Sequence, residues 1–82
     1  MRVGLLWFDN DPARSVAAKA RDAARRYREK FGVQPDTCYV NSAALTGDEL
    51  VIPLQAPENA VLRLRPALNI RPHHFWVGVE DG

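Results

Sequence analysis

Four sets of residues in this 82-residue sequence are of types that do chemistry. Asp9 and Asp11 stand one residue apart in Asp9-Asn10-Asp11-Pro12, directly after an apolar run. Two carboxylates so spaced can share Mg²⁺, and the end of a strand that leads into a helix is a place ligands favour. That is the pattern of a small metal-dependent hydrolase centred on Asp9 and Asp11. A plainer reading uses Asp9 to end the strand and Asp11 to turn or cap the chain before Pro12. His73-His74 suggests a metal or acid–base role. Neighbours on a strand point to opposite faces, however, and do not chelate one ion together, so a histidine bonded to backbone is expected. Cys38 has nothing near it in sequence to lower a thiol pKa other than a histidine across the sheet, and reads as a small, half-buried core residue. Ser15 and Ser42 lie in no nucleophile-elbow pattern. With no zinc-type Cys/His spacing and no cofactor motif, the expectation is no catalytic residue, no cofactor and no metal.

The fourth set is a stripe of arginines. Residues 12–31 carry seven bases and two acids, a net +5 in a chain whose total is +1. At helical spacing Arg14, Arg21, Arg25 and Arg28 fall on one outward line about 20 Å long, at ~1.5 Å per residue. Such a line can track phosphates, which makes nucleic acid a candidate partner. Against this, everything outside the helix is acidic in sum, and the pI of about 8.0 is below that of most nucleic-acid domains. Lys19, Arg26 and Lys30 form a second stripe flanking the apolar face.

The helix that positions these charges is predicted over Ser15–Phe31. Val16, Ala20, Ala23, Tyr27 and Phe31 recur at steps of four, three, four and four, one narrow face of a 3.6-residue period. Five alanines raise its propensity. Ser15 is a good N-cap, Gly32 a good left-handed C-terminal cap, and Pro12 to Arg14 would add a turn if the helix began earlier.

Around it the chain reads as short strands. Val3–Phe8 is apolar on both faces, with Val3, Leu5 and Trp7 on one and Leu6 and Phe8 on the other. Such a run is expected in the middle of a sheet. Thr37–Asn41 is rich in β-formers, and the β-α-β order predicts a parallel crossover with the first strand. Glu49–Leu54 contains Pro53, which suits an edge. After a turn at Pro57-Glu58-Asn59, Ala60–Arg65 alternates Leu62 and Leu64 with Arg63 and Arg65. His74–Glu80 places Phe75, Val77 and Val79 opposite His74, Trp76 and Gly78. The expected fold is α+β: a mixed four- to five-stranded sheet, β-α-β-β-β-β, with one helix packed on one face, forming one small domain over residues 1–82.

Size and composition sharpen this. A chain so short buries only about 60% of its unfolded surface, and stability then commonly draws on a disulfide, a metal or a partner. One cysteine forms no intramolecular disulfide, and a lone thiol suits a reducing cytoplasm. The six-residue apolar run at the start is too short for a signal-peptide core, and no stretch approaches the ~18 apolar residues of a membrane span. One helix covers one sheet face, while the first and last strands carry bulky groups on both. The second face therefore calls for cover. Loops 42–48 and 66–72 could supply part of it and a second copy more, so a homodimer is expected, with Trp7, Phe8, Phe75 and Trp76 dividing core and interface roles.

The segments LLWFD, YREKFG, CYVN and HFWVGVE together resemble a family of small bacterial proteins of uncharacterised function. That resemblance spans nearly the whole chain and implies no activity or site residue. A strand ending in Asp9 followed by an arginine-rich helix also looks like the opening of the small ferredoxin-like nucleases of bacterial defence systems, a fold that needs a second helix. The favoured expectation is a small cytoplasmic protein-interaction module that homodimerises without catalysis. The alternatives are nucleic-acid binding through Arg14, Arg21, Arg25 and Arg28, and hydrolysis at Asp9/Asp11.

Overall fold

The structure, a computed structural model, describes residues 1, 3–54 and 59–80. The helix α1 spans Val16–Phe31. Ser15 caps it, its hydroxyl accepting from the Ala18 N–H at 3.1 Å, and Gly32 ends it with φ 69°, a left-handed conformation that costs glycine nothing. Residues 12–14 form a turn outside the helix.

Five strands make one mixed sheet: β1 (Gly4–Phe8), β2 (Thr37–Asn41), β3 (Leu50–Pro53), β4 (Val61–Ala67) and β5 (His74–Gly78), in the order β1-β5-β2-β4-β3. β5 is antiparallel to both β1 and β2, β4 is parallel to β2, and β3 is antiparallel to β4. The fold is α+β with one helix on the sheet. β3 lies at an edge, as Pro53 requires. β1 does not take the expected central place. It forms the opposite edge, because β5 inserts between β1 and β2, and its doubly apolar pattern reflects a face left open. Of the expected turn at 57–59, Pro57 and Glu58 lie outside the described residues, and Asn59 has φ 68°. Among the described residues α1 is the only α-helix. Residues 42–44 form a short 3-10 turn, so the second helix of the ferredoxin-like likeness does not occur there.

The core lies between α1 and one sheet face. Ala20, Ala23, Ala24 and Tyr27 of the helix pack with Cys38, Val40, Ile52, Leu62, Leu64, Phe75 and Val77. The alanines let the helix approach closely, so medium-sized strand residues fill the gap at interior density. Alternation sets the sheet's contribution, with Leu5 and Trp7 joining its edge.

Candidate functional site

Three surfaces carry the residues singled out in the sequence. The first is the sheet face away from α1. Leu6 pairs with Trp76 and Phe8 with His74 across β1 and β5, and Trp76 in turn pairs with Tyr39 of β2. Leu6 and Phe8 are 57% and 55% exposed, and Val51 and Val61 are exposed on the far side. The Phe8 and His74 rings stand 4.9 Å apart. The glycine pair Gly4↔Gly78 is roofed, and Thr37, which pairs with Gly78 from β2, is 3% exposed. A Cβ on Gly4 would meet the Trp76 ring at 2.6 Å, and one on Gly78 would meet the Met1 sulfur and the Val3 carbonyl at 2.7 Å. The Tyr39 hydroxyl donates to Glu80, whose other oxygen faces the Met1 ammonium at 3.6 Å. That hydrogen bond holds the Glu80 carboxyl below its ordinary range and pushes the Tyr39 phenol up.

The four aromatics named in the sequence therefore divide. Trp7 and Phe75 point toward α1, with Phe75 only 3% exposed and Trp7 packed at the edge of the core. Phe8 and Trp76 belong to the open face. The Trp7 indole N–H is buried with no partner among the described residues.

The second surface is a small cleft, ≈110 Å³, at the carboxyl ends of β1 and β2. Its walls bring together Asp9, Lys19, Asn41, His73 and His74. Asp9 and Asp11 are absorbed in the turn. Asp9 Oδ1 accepts from the Asp11 N–H and Asp11 Oδ1 from the Ala13 N–H, while Asp9 Oδ2 takes the Arg14 guanidinium at 3.1 Å. Only Asp9 lines the cleft, and among the described residues no three His, Cys, Asp or Glu side chains stand where they could hold a metal. His73 has φ 66°, unusual outside glycine, and its carbonyl accepts from the Asp9 N–H at 3.0 Å, tying the two loops together. His74 Nδ1 lies 2.9 Å from the Pro72 carbonyl, which only accepts, so the ring proton sits on Nδ1. Lys19, read from the sequence as flanking the apolar face, is 8% exposed. Its spacing, three after Val16 and four before Ala23, is the signal that placed it beside the buried stripe. Cys38, expected half-buried, is fully buried, and burial pushes its thiol up to about 12.

The third surface gathers Arg14, Arg21, Arg25 and Arg28. All four line one cleft of ≈380 Å³ between α1 and the edge strand β3, together with Ala18, Asp22, Ala24, Gln34 and Leu54. Arg21 Nε donates to the Pro53 carbonyl at 3.0 Å. Arg14 binds Asp9 and Asp22, and the Asp22 hydrogen bond raises its guanidinium further. Arg25 reaches the other Asp22 oxygen at 3.6 Å.

No helix among the described residues is long and apolar enough to cross a membrane. No protein-family model matches the chain, and neither does any curated protein or solved structure.

Proposed function

We propose that this protein is a small cytoplasmic interaction module that homodimerises through the open face of its sheet and has no catalysis of its own. The observation that carries this is the pair Leu6 and Phe8, both more than half exposed and aligned with Trp76 on a face that α1 does not reach. Burying such a side chain is worth about 1.5–3 kcal/mol, a large increment for a domain of this size. A stable interface takes about 800 Å² from each partner, roughly one broad face of a molecule measuring 29 × 27 × 21 Å. A two-fold axis makes such a contact self-complementary, apolar flank on apolar flank, and leaves Arg63 and Arg65, on the other half of the face, toward the polar rim. The single buried thiol suits a reducing compartment.

Sedimentation equilibrium at micromolar concentration tests the reading. The expected result is a dimer that Phe8→Glu or Leu6→Glu converts to a folded monomer with unchanged circular dichroism. A wild-type protein that stays monomeric across the range defeats it.

A further inference from the structure

Arg14 of the turn and Arg21, Arg25 and Arg28 of α1 do not form a flat stripe. They wall a cleft whose volume, ≈380 Å³, falls within the range of small-molecule sites, roughly 300–1,000 Å³. Its charge is unbalanced. Among the described residues the walls hold four guanidinium groups and one carboxylate, Asp22. Arg14 is committed elsewhere, with Nη1 on Asp9 and Asp22 and Nη2 donating to the Ala18 carbonyl at 3.3 Å. Arg25 holds only the far oxygen of Asp22. Arg21 and Arg28 face the cleft with no carboxylate partner among the described residues. Arg21, Arg25 and Arg28 follow one another at four- and three-residue steps, where like charges repel along a helix. Arg21 is also prepared for a ligand: its Nε is tethered to the Pro53 carbonyl, leaving its terminal nitrogens to donate as a fork. Ala18 and Ala24 of the same helix, with Leu54, supply the apolar part of the cleft lining. At the remaining side stands Gln34, whose Oε1 is a buried acceptor with no partner among the described residues. Its Nε2 donates to the Pro35 carbonyl at 3.3 Å.

We infer that this cleft binds an organic phosphate ester of about mononucleotide size, the phosphate held by Arg21, Arg25 and Arg28 and the organic part lying against Ala24 and Leu54. A dianionic phosphate supplies the charge that the walls lack, and guanidinium forks match its geometry. A single enclosed phosphate is favoured over a long nucleic-acid strand because residues outside α1 are acidic in sum. An extended polyanion would have to pass over them. The site lies on the helix side, away from the open sheet face, so it does not depend on the dimer.

Titration calorimetry at low salt with AMP, inorganic phosphate and a short single-stranded oligothymidylate tests the assignment. AMP should bind saturably and more tightly than inorganic phosphate. Arg21→Gln with Arg28→Gln should weaken it at least about tenfold, or ~1.4 kcal/mol. Arg26→Gln removes the same charge outside the cleft and should leave affinity unchanged, as should the monomeric Phe8→Glu protein, which separates this reading from the dimer. Circular dichroism confirms that each variant is folded. Absence of AMP binding overturns the proposal. So does AMP binding no tighter than inorganic phosphate, or a loss on Arg26→Gln equal to that on Arg28→Gln. Oligothymidylate binding tighter than AMP, with uniform sensitivity to all the arginines, also overturns it in favour of a nucleic-acid surface.

Discussion

The two faces of this sheet are built from the same five strands, yet they behave as different materials. On the helix side, Cys38, Val40, Leu62, Leu64 and Val77 are at or near zero exposure, interlocked with the alanines of α1. On the other side, Leu6 and Phe8 of β1, Val51 of β3 and Val61 of β4 are apolar but half exposed. Large apolar side chains by themselves therefore do not make a core. What makes one here is a second layer whose small residues let it settle onto the strands, and the chain contributes one such layer. On the second face Met1 and the Trp76 ring lie over the glycine pair.

The sharpest way to break this contrast is truncation on each side. Leu64→Ala removes a fully buried side chain and should cost about 2–5 kcal/mol in urea unfolding. Leu6→Ala, measured at concentrations too low for association, should stay within about 0.5 kcal/mol. Equal losses would mean that the open face is core after all.

Alkaline titration compares neighbours on opposite faces. Burial raises Cys38 from 9.0 to about 12. A group whose folded pKa is raised contributes stability that is full below its unfolded value and is lost as pH climbs through the folded one. Stability should therefore fall between pH 9 and about 12, by up to ~1.4 kcal/mol per unit, and Cys38→Ala should flatten that fall. In the native state Cys38 should resist thiol reagents until the protein unfolds. Rapid native labelling would show that the closed face opens locally.

The roof over the glycine pair offers a smaller test. Gly4→Ala pushes a methyl into the Trp76 ring and should cost about 1–3 kcal/mol. Gly47→Ala, with nothing within 4 Å of the added carbon, should be near neutral. Smallest is Ser15→Ala, a cap loss of about 1 kcal/mol that should be the same whether or not the open face is covered. A cap loss that changed with protein concentration would link the helix end to association.

Much of this was legible in the residues. The helix boundaries follow from local chemistry, an N-cap serine, a 3.6-residue stripe and a glycine stop, none of which needs a distant partner. The inward Leu62 and Leu64 and the outward Arg63 and Arg65 follow from the two-residue period of a strand. The edge position of β3 follows from the missing N–H of Pro53. The candidate sites were less visible. Asp9 and Asp11 were conspicuous as a pair, and their use as turn acceptors was one of two readings their spacing allowed. Lys19 was legible as flanking the apolar face but not as buried, because a helical projection shows an angle and not the height of a neighbouring loop. In the fold Lys19 shares a small cleft with Asp9, Asn41, Ala44 and residues 73–75.

Sequence alone determined what each stretch is, because helix caps, side-chain periodicity and proline chemistry act within a few residues. Tertiary structure decided what each stretch is next to: that β5 enters between β1 and β2 and leaves β1 at an edge, and that Arg14 and three arginines of α1 enclose a cleft with Gln34 and Leu54. Strand order and cleft walls depend on contacts between residues far apart in the chain, and no local pattern encodes which of several compatible partners will be chosen.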